Sequence, residues 1–478
     1  MSLSQAMRSA PPHPRHRRRG TILIVAMILV FAIAALVLTL GLAMRVEASA
    51  SANVAAEREA TAIVRGAEQY VMAVLAESTD PIDLLDESYF EEVPLGGGYF
   101  WILRPAYDDP AMPVFGITDE TCKIDLNTFA SAYERLSEMP VLTDELAASI
   151  IDWGDEDENP TEGFGAESQV YASRSPGHDA KNAPYESVEE LMLVDGMTSE
   201  LLYGDGTAPP IGQAGLSADQ GYFQGEGYRP RGLFDLFTVW GVEAEASFDE
   251  GTPRLNVNDD ESREAVREML IEEFGEARGA ELAGRVPSQD VLDIFDFALR
   301  LDLEPEELAQ IEDRISVAQT QTFQSGNTIV QVVMSQGGKI NVNWAAREVL
   351  MTLIQVHPSL EESDIDAMIS ERITAIQEMP NSIAWVYELL GAESVGLARY
   401  ITARGRYYSA DIVTVSGNGR AFKRVRIVVD SGATNAEGVV YPRIVYRRDL
   451  TDHGWPMDPA LLESLRTGGG AYGAFTTW

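Results

Sequence analysis

Cysteine is nearly absent from this chain of 478 residues: Cys122 stands alone, so no intrachain disulfide can form and no cysteine-based zinc site exists. The fold has to be held by packing. Histidine is scarce as well. Of five, His13 and His16 fall in the first stretch of the chain, and His178, His357 and His453 stand singly, as loop or surface residues do rather than ligands or bases. Positive charge is short: 36 Lys and Arg face 75 Asp and Glu, for a formal charge of −39. Such a surface repels phosphate backbones, which argues against nucleic acid as a partner. Ser-His-Asp, H-E-x-x-H and P-loop arrangements are missing, so the reading is not an enzyme. The formal G-x-G-x-x-G at Gly468–Gly473 stands too near Trp478 to open the helix that gives this motif its meaning.

What the chain does have is an uncharged run, Thr21 to Met44. As a helix it extends about 36 Å, against about 30 Å for a bilayer core. It is preceded by Arg15, Arg17, Arg18, Arg19 and Gly20 and followed by Arg45 and Glu47, so the basic side is expected in the cytoplasm and the bulk of the chain outside it. A cleavable secretory signal has a shorter apolar core. Arg-Arg-Arg-Gly directly before an apolar helix instead resembles the type IV prepilin class, in which a peptidase cuts after the glycine and leaves the span attached. That resemblance puts the cut between Gly20 and Thr21. Where the class usually carries a glutamate, this chain has Val25, which suits a minor subunit with no charge to pair in hydrocarbon.

The helix is expected to continue to about Glu77, with Ala56, Ala60, Ile63, Ala67, Tyr70, Val71 and Val74 as a stripe that packs on a globular part. Tyr99–Leu103 has strand propensity, and its partners lie far downstream. Tyr407–Ser416, the turn Gly417-Asn418-Gly419, Ala421–Asp430 and Arg443–Arg447 follow, with Val425, Ile427 and Val429 alternating as a sheet with one buried face requires.

Between these β segments, residues 116–400 read as mainly helical and repeat one phrase: Lys123-Ile124-Asp125-Leu126-Asn127, Arg254-Leu255-Asn256-Val257-Asn258 and Lys339-Ile340-Asn341-Val342-Asn343. The Asn or Asp is expected to cap a following helix. Ser187 to Gly204 has helix-hairpin-helix phrasing, but Val194-Asp195-Gly196-Met197 sits among Glu189, Glu190 and Glu200, the wrong charge for phosphate. The hairpins therefore read as protein scaffolding. After Trp153 an acidic loop carries Asp155, Asp157 and Glu158, then Glu162 and Glu167, hard oxygen donors of the kind calcium takes. Asp155, Asp157 and Glu167 are the expected ligands, ahead of Glu162, with Asp152 facing the core beside Trp153.

GITDETCKIDLNTF, DWGDEDE, GAESQVYAS, KNAPYESVEELMLVDGMT and KINVNWAAREVL, together with the leader and Val25, resemble general secretion pathway protein K, the large minor pseudopilin of type II secretion systems. The resemblance implies an α+β fold: a pilin-like long N-terminal helix and small antiparallel sheet, interrupted by a large mainly α-helical insert with helix-hairpin-helix-like repeats. It implies a non-enzymatic inner-membrane protein at the pseudopilus tip, supporting export of folded periplasmic proteins, with minor pseudopilins I and J as partners, H nearby, a prepilin peptidase for processing, and calcium in the globular part. The expected divisions are a leader at 1–20, a membrane segment at 21–44, pilin-like parts at 45–115 and 401–450, helical regions at 116–205 and 255–400, an insertion at 206–254 and a tail at 451–478. A membrane-anchored helix-hairpin-helix protein of DNA uptake or type IV pilus assembly, and a membrane-tethered enzyme, remain the alternatives.

Overall fold

Helix α1 runs Arg19–Glu77, 59 residues without a proline, in the computed structural model. The structure describes residues 19–77, 87–104, 115–129, 133–137, 139, 142–203, 232–244, 254–317, 319–325, 328–334, 338–379, 381–432, 441–457 and 459–467. Most of the 206–254 stretch, the leader before Arg19 and the glycine run near the C-terminus lie outside them. The two halves of α1 have opposite surroundings. Ile22 to Val46 is exposed apolar surface, and among the described residues this is the one helix long and apolar enough to cross a membrane. Ala56, Ala60, Ile63, Ala67 and Val71 are buried, with Tyr70 and Val74 at the rim.

That stripe packs on a six-stranded sheet whose main path runs through five strands in spatial order, with the sixth beside it. Its strands are β1 (Val93–Leu95), β2 (Gly98–Leu103), β12 (Tyr407–Val415), β13 (Phe422–Asp430) and β14 (Arg443–Asp449), and β3 (Thr118–Asp119) pairs β12 beside the end of β2. All pairings are antiparallel. Phe100 meets Tyr70 of α1 edge to face at 5.4 Å, and Thr414 Oγ1 donates to Ala60 O at 3.1 Å.

One expectation needs correction here: the sheet does not have one buried face. Arg426 and Val428 are buried along with Val425, Ile427 and Val429, because a second layer covers the other side. Arg426 Nη2 pairs with Asp235 of the insert at 3.0 Å, and its guanidinium lies 4.4 Å from the Phe234 ring centre. Along the same layer Trp455 packs edge to face on Trp101 (6.0 Å) and Phe422 (5.5 Å), and Leu461, Leu462 and Leu465 of the helix Pro459–Thr467 join the sheet's apolar cluster. Met457, Leu461, Leu462 and Leu465 of the tail are therefore part of the core. Leu461→Ala is expected to cost about 2–4 kcal/mol, read by urea unfolding of the solubilised protein; a loss below about 0.5 kcal/mol would show this helix to be an appendage.

The insert has its own apolar cluster and is not simply helical. Each repeated phrase forms a two-residue strand that pairs in parallel with a later one: β4 (Ile124–Asp125) with β5 (Phe237–Thr238), β6 (Leu255–Asn256) with β7 (Ile315–Ser316), β10 (Ile340–Asn341) with β11 (Ile401–Thr402). Parallel pairing needs a long crossover, which is why the repeat encloses its helices. A further antiparallel pair, β8 (Gln319–Ser325) and β9 (Thr328–Met334), stands apart from these.

The phrase's polar residues act mainly as ties, not caps. Oδ1 of Asp125, Asn256 and Asn341 accepts the N–H two residues on, at 2.8, 3.1 and 3.0 Å. Asp125 also reaches the next N–H of its short helix, that of Thr128 (3.3 Å); the helix Asp260–Phe274 is capped by Asp259, and Arg347–Met351 starts without a side-chain cap. The second Asn reaches across the unit. Asn127 exchanges hydrogen bonds with the backbone of Tyr185 (2.7 and 3.1 Å), Asn258 does so with Val291 (2.9 and 3.1 Å), and Asn343 accepts from Trp385 Nε1 (2.8 Å). The helix-hairpin-helix phrase is also shorter than its pattern predicts: Val188–Leu193 is a 3-10 helix and Ser199–Tyr203 a single α turn, since the chain between them turns at Gly196, φ 83°.

Candidate cation site

Helix Asp144–Gly154 starts on Thr143, whose hydroxyl accepts from Leu146 N (3.3 Å), and buries Leu146 through Trp153. Its last turn delivers Asp152 into the interior and releases Asp155 into a loop. The loop returns through Glu167, which immediately precedes the helix Ser168–Ala172, and is clamped where Tyr171 packs edge to face on Trp153 (5.1 Å) and Asn182 N donates to Trp153 O (3.1 Å). Glycine is needed at one point of this return: a Cβ on Gly165 would lie 2.0 Å from Asp152 Oδ2.

These constraints bring carboxylate oxygens of Asp155, Asp157 and Glu167 within 4.8 Å of one another. Glu162 is exposed, with φ 52°, and does not join them. Glu158 turns aside, accepting from Ser168 Oγ (2.9 Å) and Asn182 Nδ2 (3.0 Å). Asp152 is fully buried as expected, its Oδ1 accepting from Thr161 N (2.9 Å). Asp157 is held by Asn159, whose backbone N–H and Nδ2 donate to Oδ1 at 2.7 and 2.8 Å.

The group is short of positive charge and of donors. Glu167 is 3% exposed, and among the described residues neither of its carboxylate oxygens has a hydrogen-bond partner; the same holds for Asp155 Oδ1, Asp152 Oδ2 and Asn182 Oδ1. Burial, then the charges of Asp152, Asp155, Glu158 and Asp157, push the Glu167 carboxyl up to about 7. Burial also raises Asp155 and Asp152, and the charge of neighbouring carboxylates pushes both the same way. Desolvated acceptors with no donor are costly unless a cation or proton sits among them. An oxygen-only, flexible donor set of this kind fits a hard divalent ion such as calcium, with Asp155, Asp157 and Glu167 as the side chains to hold it and Asp152 behind them. Asn182 and Gly165 were not foreseen as parts of this arrangement; their only signal in the sequence is that they fall within the KNAPY and GAES phrases.

The insert meets the sheet at Glu189. Arg448 Nη1 of β14 pairs with Glu189 at 2.6 Å, and the hydroxyl of Tyr446 donates to the same carboxylate. Gly20 and Thr21 lie in the first turn of α1. His178 is an exposed loop residue, as expected, and its ring stacks on Tyr171 (5.1 Å) and meets Trp153 edge to face (5.9 Å).

Comparison with known proteins picks out this same region. Residues 119–203 match the family model for type II secretion system protein K. The curated type II secretion system protein K of Klebsiella pneumoniae is 38% identical over 73 residues, a match spanning 15% of this chain and 22% of that protein's length. A crystal structure of the GspK-GspI-GspJ complex from enterotoxigenic Escherichia coli aligns over 85% of this chain and 99% of that one, at 12% identity and a TM-score of 0.33, too distant a likeness to bear on the fold. The matched segment contains the first repeated phrase, the acidic loop and the Tyr185 tie, all in the arrangement described above. In residues 119–203 the chain is thus similar to type II secretion system protein K, over about a fifth of the length of the curated relative it matches.

Proposed function

We propose that the protein is a minor pseudopilin of a type II secretion system that acts by assembly, capping the pseudopilus tip and supporting export of folded periplasmic proteins across the outer membrane. The observation that carries this reading is the division of α1. One continuous helix presents bare apolar surface to a bilayer and then becomes a wall of the sheet domain, so movement of the membrane segment and of the globular part are mechanically one. The insert, seated on the sheet's second face, supplies bulk at the end of such a fibre. Minor pseudopilins I and J are the proposed partners, with H nearby. In Escherichia coli, GspK forms a complex with GspI and GspJ.

In this reading the basic leader stays in the cytoplasm, the peptidase cuts between Gly20 and Thr21, and the remaining chain is anchored in the inner membrane with its bulk in the periplasm. N-terminal sequencing of the mature membrane protein is expected to begin at Thr21, and Gly20→Leu to leave the leader attached. A mature chain starting at Met1, or beyond Met44, overturns the processing. Deletion of the gene is expected to halt secretion of periplasmic cargo, with cargo accumulating folded in the periplasm; normal secretion in that strain would end the assembly reading. Calcium held by Asp155, Asp157 and Glu167 orders the acidic loop in this account, neutralising carboxylates that repel one another without it.

A further inference from the structure

One end of the sheet is closed by turns at 96–98 and 417–419, and its contacts place it where α1 leaves the apolar run. Thr414 Oγ1 donates to Ala60 O (3.1 Å), Lys423 Nζ to Glu57 Oε1 (3.2 Å) and Arg420 Nη1 to Asn53 Oδ1 (3.4 Å). The outer layer ends at the same level, since Arg466 Nε of the helix Pro459–Thr467 donates to Gly419 O (3.0 Å). The insert joins the sheet at the opposite end, after Leu103 of β2 and before Tyr407 of β12, where Tyr408 pairs with Asp119.

Asn53 stands about 14 Å along the helix from Met44, the last residue of the uncharged run. The polar zone of one leaflet is about 5–8 Å deep, so an upright α1 would hold this end of the sheet clear of it. Membrane helices tilt by about 20° on average. A tilt of that size toward the sheet lowers the outer layer, about 20 Å to the side across two packed layers, by about 7 Å and seats it among the headgroups. Charge is sorted along the same direction. Residues 105–400 hold 17 Lys and Arg against 57 Asp and Glu, whereas residues 401–478 hold ten against seven. Arg420 and Arg466 are exposed at the low end; Arg466 pairs within its own helix with Glu463 (3.3 Å), and Arg420 has no carboxylate partner among the described residues. The eleven residues after Thr467 carry no charged side chain and include Tyr472 and Trp478, residue types that collect at membrane–water interfaces.

We propose that this end of the sheet domain docks on the phospholipid headgroups of the bilayer that α1 spans, with Arg420 and Arg466 as its phosphate-binding groups. A guanidinium meets phosphate oxygens through paired N–H donors. The same anionic surface repels an insert whose net charge is −40, so one field draws the sheet's end down and holds the insert away. The contact fixes the tilt of α1 and, with it, the direction in which the insert points.

The proposal rests on the reading of α1 as a membrane span, and its test separates the two. The full chain is placed in nanodiscs containing phosphatidylglycerol and labelled with a fluorophore at Thr467→Cys, at Glu371→Cys of the insert or at Val37→Cys of α1; Cys122 is buried, so the wild type serves as the labelling blank. A nitroxide on the lipid headgroup is expected to quench the Thr467→Cys label at least two-fold and to leave the Glu371→Cys label unchanged, while a nitroxide on the acyl chain quenches the Val37→Cys label. Adding Arg420→Glu with Arg466→Glu is expected to reduce the quenching at Thr467→Cys to the level of the insert, with the melting temperature kept. If the double variant fails to fold, Arg420→Glu alone decides. A Thr467→Cys label that the headgroup nitroxide does not quench, with Val37→Cys still quenched, overturns the docking and leaves the span standing. Quenching that the charge reversal does not change shows a nearness imposed by α1 alone and overturns the docking as well. An unquenched Val37→Cys label removes the span and this proposal together.

Discussion

Millimolar calcium is expected to raise the melting temperature of the solubilised protein at pH 7.5 by roughly 5–11 °C, and Glu167→Gln to abolish that response. A one-site ligand at about 100 times its dissociation constant stabilises by about 2.7 kcal/mol, and a large domain gains about 2–4 °C per kcal/mol. The metal-free protein should behave distinctively. Glu167 has its carboxyl raised from the ordinary 4.5 to about 7 in the folded state, so the unfolded chain gives up this proton first. Folding stability is then full below about pH 4.5 and declines as pH rises toward 7, by up to about 3 kcal/mol from this group. Glu167→Gln removes the ionisation. Without calcium the variant should melt above the wild type at pH 7.5 and show a flatter profile between pH 5 and 7. Asp157→Asn, exposed and held by Asn159, should weaken calcium binding with little change in metal-free stability. A melting temperature unmoved between chelator and about 5 mM calcium, with no binding heat, would leave the carboxylates sharing protons instead of a cation.

Glu243→Ala is expected to cost about 3–5 kcal/mol at pH 7, a larger loss than any surface ion pair provides. Its carboxylate is where the repeats are tied together: Lys339 Nζ lies at 2.9 Å, Arg254 Nη1 at 3.2 Å and Thr402 Oγ1 at 3.2 Å. Two of these are the basic residues that open the second and third repeated phrases. Lys339 and Arg254 hold the Glu243 carboxyl at about 2, against the burial that opposes its charge. Because the folded value lies below the ordinary 4.5, the stability this residue contributes is complete above about pH 4.5 and is lost as pH falls toward 2. The gap between wild type and variant in urea unfolding should therefore be widest at neutral pH and narrow near pH 2.5. Removal leaves two cations without a carboxylate in a mostly buried setting, so Glu243→Gln, similar in size, should also be destabilising. A loss under about 1 kcal/mol, or one that does not change with pH, would mean solvent already screens the cluster.

Much of this architecture is legible from local pattern. An uncharged run of bilayer length, a helical stripe from Ala56 to Val74 and an alternation around Val425, Ile427 and Val429 each report one element and one buried side, because periodicity records which side of an element leaves water. Split β segments with a long stretch between them also announce an inserted domain. What the pattern cannot report is a second covering layer: Arg426 reads as the solvent side of β13 until Asp235, nearly two hundred residues earlier, is brought to 3.0 Å.

The repeated phrase shows the same division more sharply. Its three copies are visible in the sequence, yet whether Asn127, Asn258 and Asn343 cap a helix or tie two segments depends on what stands opposite, namely Tyr185, Val291 and Trp385, at unequal distances along the chain. The parallel strand partners are two residues long, too short for composition to mark, and the β8–β9 ribbon was absorbed into a stretch that otherwise reads as helical. The cation site lies between these cases. Asp155, Asp157 and Glu167 are an acidic loop to the sequence, one among many in a chain with 75 acidic residues. Only the tertiary structure, by seating Tyr171 on Trp153 and burying Glu167 without a donor, turns three charges that should repel into a set of oxygens facing one point. Sequence by itself determined the apolar run of bilayer length, the helix and the sheet's apolar side, since those follow from each residue's own preference for water; pairings across the insert follow from which groups burial leaves unsatisfied, and that is decided only when the whole chain has packed.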